Sequence, residues 1–231
     1  MTLADDQVVD LDHKALLQAN GLRVGQVGSL TPPGLQALLA SDRSCINPRF
    51  IQTHAERSTR LSVGPPLPEC RLQIQQDEPA APVRLKQAEC TLVVVPSVMP
   101  GGRVRLRFTP EVLHGQPLVL PQPADRAAWV LGKQQPTESF AGLSWEVTLA
   151  PNEYVVVGGR YDRPETLGHA FFIRADETPP RQRLLVIRTA RPAAAWLPDP
   201  STAAESSGSH APPLALQAAW PTGPAQRLKG P

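Results

Sequence analysis

The sequence predicts an α+β protein whose larger part is antiparallel β-sheet. Helix signals are confined to roughly the first forty residues. From residue 86 onward, apolar residues alternate with polar ones or form short β-branched runs between turn residues. The 27 prolines among 231 residues, about twice the usual share, disfavour long helices. We therefore expect a small α+β domain over residues 7–85, a mainly antiparallel β domain over 86–191 and an Ala/Pro/Ser-rich disordered tail over 192–231.

Two short helices and several short strands are expected in the first domain. "DLDHKALLQAN" (10–20) is typical of a helix that begins at an aspartate cap and ends at Asn20-Gly21. "LRVGQVG" follows as a strand, and Thr31 is expected to cap a second helix with proline in its first turn. The remaining strand candidates are "RFIQTHA", "RLSVG" and "CRLQIQ".

The second domain is expected to open with a β-hairpin over residues 89–112. "CTLVVVP" is a continuous apolar run that suits a strand buried on both faces, and "SVMPGG" supplies the turn. "GGRVRLRF" alternates without a break, so that one face of the strand is basic and the other apolar. The exposed residues of this strand are predicted to be Arg103, Arg105 and Arg107, and the buried ones Val104, Leu106 and Phe108.

A long loop with at most one short strand, near "AAWVLG", is expected over residues 113–143. Four antiparallel strands should follow: "SWEVTLA", "EYVVVGG", "GHAFFIR" and "QRLLVIRTA". Gly158 and Gly159 end one of them and indicate either an ordinary turn, a positive φ or a close backbone approach. In the tail, "LALQAAW" (214–220) is the one apolar stretch, and an unstructured tail is favoured over a docked segment there. Removing residues 197–231 is then expected to leave the melting temperature nearly unchanged.

No catalytic, cofactor or metal site is expected. The five histidines are scattered, and no nucleotide-binding or hydrolase motif is found. The spacings of Cys45, Cys70 and Cys90 match no zinc pattern, and whether two of them pair or all stay reduced is left open. Cys45 with His54 is a conceivable nucleophile pair, but nothing supplies a third, orienting group. We therefore predict a protein that is not an enzyme.

Charge and hydropathy argue against two kinds of partner, nucleic acid and the membrane interior. The net charge is only +2. The arginines between residues 160 and 191 are interpreted as solubilising charge on exposed strand faces; the alternative, a site for an anionic partner, lacks the interleaved aromatics of a single-strand binder. No apolar run reaches the length of a membrane helix, roughly 20 residues. The prolines of residues 111–144 also argue against spanning strands, so no direct membrane span is expected. No signal peptide is visible at the start, which leaves open an internal protein or a leader upstream.

Four segments, taken in order, resemble a known family: "TLVVVPSVMPGGRVRLRFTPEV", "WEVTLAPNEYVVVGG", "LGHAFF" and "RQRLLVIRTARP". They are similar to the C-terminal domain of the secretins, the ring-forming outer-membrane channels of type II and type III secretion and of type IV pili. The resemblance covers roughly residues 88–192. It implies a non-catalytic protein of the cell envelope that is a structural or accessory component of a secretion or pilus apparatus.

The resemblance also implies protein partners, either secretion-system components or other copies of the chain. The candidate assembly or turn positions are Arg103, Arg105, Arg107, Gly158 and Gly159. Two alternatives stand beside it. One is a β-domain, unrelated to secretion, that binds another protein through an exposed strand edge. The other is a true secretin channel subunit.

Overall fold

The protein has the predicted α+β fold, with short helices and mostly antiparallel strands. The computed structural model describes residues 9–45, 48–75, 82–123, 129–175, 177–190 and 214–219. The helices in these ranges are α1 (Leu11–Ala19), α2 (Pro33–Ala40) and α3 (Leu167–Phe172). The strands form two larger sheets and two ribbons of two strands each.

The first sheet, sheet I, has the strand order β1-β11-β14-β15-β2, and all its neighbours are antiparallel. Its strands are β1 (Leu22–Val27), β2 (Pro48–Thr53), β11 (Tyr154–Gly159), β14 (Leu184–Ala190) and β15 (Leu214–Ala219).

The second sheet, sheet II, has the order β10-β6-β5-β3, with β4 beside β5 and β9 beside β6. Its strands are β3 (Thr59–Ser62), β4 (Leu67–Leu72), β5 (Val83–Met99), β6 (Arg103–Leu113), β9 (Thr137–Ser139) and β10 (Trp145–Leu149). The two ribbons are β7 (Leu118–Pro123) with β8 (Trp129–Gln134), and β12 (Ile173–Arg174) with β13 (Arg181–Gln182).

Strand pairing crosses the expected domain boundary near residue 85 in both sheets. In sheet I, β1 pairs with β11 and β2 with β15. In sheet II, β3 and β4 both pair with β5. The first 85 residues therefore supply strands to both sheets, which places strands from the two expected domains side by side.

One large core joins the inner faces of the two sheets. Sheet I contributes Val155, Val157 and Ile187, and sheet II contributes Leu92 and Leu106 among others. A smaller cluster lies on the opposite face of sheet I, where Leu35 of α2 covers side chains of β1, β11 and β14. The layers are therefore α2, sheet I and sheet II, and α2 covers only sheet I.

The first helix begins and ends as the sequence predicts. The Asp10 side chain accepts a hydrogen bond from the backbone N–H of His13 at 2.9 Å, and the helix stops at Asn20-Gly21. The cap of α2 differs from the prediction, because Pro32 occupies the cap position and no side chain caps this helix. Proline is favoured in the first helical turn because no intrahelical partner exists there for an N–H.

The hairpin of β5 and β6 has the predicted alternation. Leu106 and Phe108 are fully buried and Val104 nearly so, whereas Arg103 and Arg107 are exposed and Arg105 is half-exposed. The prediction that "CTLVVVP" is buried on both faces is wrong for β5, because Val93 and Val95 on its outer face are only half-buried. The strand buried on both faces is β11, which lies between the core and α2.

The segment "GHAFFIR", predicted as a strand, is mostly helix α3. Leu167, Phe171 and Phe172 are fully buried in the core cluster. Residues four apart lie on one face of a helix, so a single helical turn carries Leu167 and Phe171 inward together. Aromatic content favours a strand locally, but tertiary packing overrides it here.

Three glycines let α3 lie directly on sheet I. A Cβ atom on Gly159 would stand 2.2 Å from the carbonyl oxygen of Gly168, and one on Gly168 would stand 2.0 Å from that of Gly21. The backbone N–H of Gly168 donates to the Asn20 carbonyl at 2.9 Å. The close backbone approach expected of the double glycine is therefore present at Gly159.

The loop predicted over residues 113–143 contains a hairpin instead. The strands β7 and β8 pair antiparallel over six residue pairs, from Leu118 opposite Gln134 to Pro123 opposite Trp129. Prolines are tolerated in a strand when the missing N–H would face an unpaired edge. Pro121 and Pro123 are two residues apart, so their missing donors fall on the same side of β7.

Part of the predicted tail is a strand of sheet I. β15 lies between β14 and β2, opposite Ala190 at one end and Pro48 at the other. The docked alternative for "LALQAAW" is thus present over Leu214–Ala219, and residues 191–213 and 220–231 lie outside the described residues. Removing residues 197–231 would take away the one strand that pairs with β2 in the described structure. The expectation of an unchanged melting temperature is revised to a fall.

Replacing Phe108 with alanine should lower the free energy of unfolding by about 3–5 kcal/mol. The ring is fully buried and stacks on Trp145 of the neighbouring strand, with ring centroids 5.1 Å apart. Chemical denaturation of the variant measures the loss, and Arg103→Ala on the exposed face of the same strand should change stability by less than about 0.5 kcal/mol. A loss below about 1 kcal/mol for Phe108→Ala would contradict the core position.

Gly159→Ala should destabilise the protein by about 3 kcal/mol or more, because the added methyl group meets backbone rather than a movable side chain. The matched control is Gly28→Ala, where a Cβ atom meets nothing within 4 Å. That control should be neutral or slightly stabilising, because alanine restricts the unfolded chain. Equal melting temperatures for the two variants would show that the close approach is not a constraint.

Candidate functional site

The arginines singled out in the sequence lie together on the outer face of sheet II. Arg103, Arg105 and Arg107 project from alternate positions of β6, and Arg60 projects from β3 two strands away. The register of β10 places Glu146 directly opposite Arg107. We call this surface the arginine face; it comprises Arg60, Val93, Val95, Arg103, Arg105, Arg107, Glu111 and Glu146.

Two glutamates on this face hold three of its arginines. Glu146 accepts a hydrogen bond from Arg107 Nε at 2.8 Å, and its other oxygen lies 3.7 Å from Arg105. Glu111 accepts from Arg60 Nε at 3.1 Å. The Arg105, Arg107 and Glu146 side chains keep 38–62% of their surface exposed, so these pairs contribute little to stability.

Half-buried apolar residues lie between these charges. Val95 is paired across the ladder with Arg107, and Val93 with Thr109. Val93 and Val95 are half-buried, and Thr109 is joined to Ser144 by a 2.9 Å hydrogen bond. Underneath, Leu106 and Phe108 are fully buried, which anchors β6. The arginines therefore project from a rigid, partly apolar surface.

A groove lies at the border of this face. Its volume is about 490 Å³, and it is lined by Arg60, Leu118, Gln134, Gln135, Pro136 and Thr137. Leu118 belongs to the β7–β8 hairpin and keeps 57% of its surface exposed, as Val119 does at 56%. Gln135 donates to the Gly115 carbonyl at 2.9 Å and so ties the base of the hairpin. The groove thus joins the charged face to an exposed apolar strand.

Gly158 and Gly159 do not belong to this face. They end β11 in sheet I, where Gly159 contacts α3 and Gly158 lies against Leu184. The structure separates the two sets of candidate residues, with the arginines on the surface of one sheet and the glycines inside the other. The glycines have a packing role in this arrangement, and the arginines lie at the surface.

Several arginines of the second group, between residues 160 and 191, make local contacts. A hydrogen bond from Arg160 holds the pKa of Asp162 at about 2, and Glu177 pairs with Arg181 at 3.1 Å. Arg188 donates to Asn152 at 2.6 Å and lies over the Tyr154 ring.

Arg174 departs from the prediction that this second group is exposed, solubilising charge. It is only 5% exposed and donates to the Pro65 carbonyl at 2.8 Å.

Two of the three thiols, those of Cys70 and Cys90, lie together inside the protein. Cys70 and Cys90 are buried, and Cys45 is half-buried. The Cys70 thiol and burial together raise the pKa of Cys90 well above its usual value, whereas the hydrogen bond with Cys90 lowers that of Cys70. A thiol held in its protonated form is a poor nucleophile. Burial also lowers the pKa of His169 on α3, next to Ala170, whose carbonyl lies 3.8 Å from the Cys90 sulfur.

Within the described ranges, no three His, Cys, Asp or Glu side chains are grouped so that they could hold a metal ion. In the same part of the chain, no helix has the length and apolar character needed to cross a membrane.

Comparison with known proteins gives no relative: no family model, no curated protein and no solved structure matches the chain.

Sequence reasoning missed part of the arginine face. Arg60, Glu111 and Glu146 are brought to it by strand pairing across 51 and 39 residues of sequence. The alternation within "TRLS" and "WEVTL" indicates that Arg60 and Glu146 are exposed. It does not indicate which charged residue lies opposite each of them. Leu118 was missed because its segment was expected to be a loop.

Proposed function

We propose that the protein is a non-catalytic binding module that receives an acidic segment of a partner protein on the arginine face. The observation that carries the proposal is the row of three outward arginines on β6, flanked by half-buried valines and bordered by an open groove. Arginine is enriched at protein interfaces because its planar guanidinium binds carboxylates through two parallel hydrogen bonds.

Charge complementarity supports an acidic partner. The four arginines of the face outnumber its two glutamates. Arg105 and Arg107 share the single carboxylate of Glu146, which leaves donors of both guanidinium groups for further acceptors. An acidic segment lying across β6 would supply these acceptors.

Apolar surface supports a protein partner rather than a simple anion. Val93 and Val95 lie between the charged rows, and Leu118 is exposed at the groove. A segment that alternates acidic and apolar residues would place carboxylates on the arginines and methyl groups on the valines. The face carries no aromatic residue on which a nucleic-acid base would stack.

Charge reversal of the row tests this function. The probe is a fluorescent peptide that alternates glutamate and valine, and its anisotropy reports binding. The triple change Arg103→Glu, Arg105→Glu and Arg107→Glu should weaken binding at least about tenfold, which corresponds to about 1.4 kcal/mol. A peptide with glutamine in place of glutamate should bind the unchanged protein weakly, and added salt should weaken the acidic peptide.

The matched control makes the same change in net charge elsewhere. Arg23, Arg43 and Arg49 are exposed and lie off the arginine face, with Arg23 and Arg49 on strands of sheet I. Reversing these three should leave most of the binding intact. If both triple variants lose affinity equally, the peptide responds to net charge alone, and if neither does, the face is not the site; each result would reject the proposal.

A secretin-like accessory role is the second candidate. It is supported by three of the four segments that resemble the family, which form the strands β5, β6, β10, β11 and β14, whereas "LGHAFF" forms α3. In this role the partner on the arginine face would be a component of a secretion or pilus apparatus.

Native mass separates this role from that of a channel subunit. Light scattering of the purified chain should give a single copy or a small oligomer for a binding or accessory protein. A large ring would instead favour the true secretin subunit. The measurement needs no partner and is independent of the peptide assay.

A further inference from the structure

β15 is an inner strand that reaches its place from far along the chain. It pairs with β14 over five residue pairs and with β2 over six, antiparallel to both. In the described structure β2 has no other strand partner. The slot between β14 and β2 is therefore a strand-binding site in its own right, with backbone donors and acceptors on both walls.

The connection to β15 is much longer than its geometry requires. Ala190 at the end of β14 lies directly opposite Ala215 of β15, so the two ends are about 5 Å apart. A turn of two to five residues would join such neighbours. The chain instead places residues 191–213 between them, which could extend over roughly 75 Å. A connection of this length allows β14 and β15 to pair within one copy or between two copies.

The β5–β6 hairpin shows the opposite case. Pro100–Gly102 join β5 to β6, with Met99 opposite Arg103 across the ladder. A turn this short fixes both strands in one chain, because separating them would open the hairpin along its whole length. The two pairs of strands thus differ in the length of the connection between them, and this length decides whether a strand can be exchanged between copies.

We propose that β15 is exchangeable, and that the slot between β14 and β2 also receives the β15 strand of a second copy of this chain. The slots of the two copies are identical, so a reciprocal exchange keeps every ladder hydrogen bond and gives a symmetric dimer. The balance is then set by concentration, since a tethered strand competes at an effective concentration on the order of millimolar. The dimer grows as the protein concentration approaches that value.

Cross-linking between differently labelled chains tests the exchange in the full-length protein. One preparation carries Ala190→Cys and the other Ala215→Cys, both with Cys45→Ser to remove the half-buried thiol. A disulfide between the two introduced residues then forms only when β14 of one chain pairs with β15 of the other. A second pair of variants, Thr189→Cys and Leu216→Cys, tests the neighbouring position of the ladder. It is needed because hydrogen-bonded and non-hydrogen-bonded residue pairs alternate along antiparallel strands and differ in their Cα separation.

Mixed chains, incubated from about 10 µM to about 1 mM and then oxidised with diamide, should give a heterodimer whose share rises with concentration. The control mixes Ser97→Cys chains with Arg105→Cys chains, a ladder pair of the short hairpin that should give only collisional background. Heterodimer above that background at about 1 mM supports exchange. Heterodimer no greater than the control, even after partial unfolding and refolding of the mixture, would overturn it.

Discussion

The contact of α3 with β1 and β11 is the constraint on which the rest of the fold depends. Gly21, Gly159 and Gly168 meet through their backbones, at separations that leave no room for a Cβ atom. Because α3 packs this closely, Phe171 and Phe172 lie in the core between the two sheets. Asn20 lies at the same point, fully buried, and its side-chain amide binds the carbonyls of Leu16 and Gln75 and the N–H of Gln75. A helix end, the segment after β4 and α3 are thereby joined at one contact.

The outer faces of the two sheets are covered unequally. Sheet I has the core on one face and α2 on the other, so β11 is apolar throughout. On the outer face of sheet II the described residues leave Arg103 and Arg107 exposed. Charged side chains occur on that face because their burial would require full pairing and desolvation. The same chain therefore has a strand suited to a dry interior, β11, and a strand with one face suited to water, β6.

Local patterns predicted the elements whose environment is decided by their own periodicity. The β5–β6 hairpin is an example, since a shift of one residue would bury Arg103, Arg105 and Arg107 together. The end of α1 at Asn20-Gly21 is another, because a glycine at this point adopts the positive φ of 74° without strain. The arginine row of the candidate site could be predicted for the same reason. Its glutamates could not, because their positions depend on which strands become neighbours.

The sequence by itself determined the α+β class, the hairpin and which face of β6 is charged, because these depend on residue types at fixed spacing along one strand. Only the tertiary structure decided that "LGHAFF" is a helix, that β15 lies inside sheet I and that Arg60 joins the arginine face. Each of these depends on contacts between residues far apart in sequence. A short aromatic segment or an alanine-rich strand has weak local preference, so the free energy of packing against distant backbone determines its conformation.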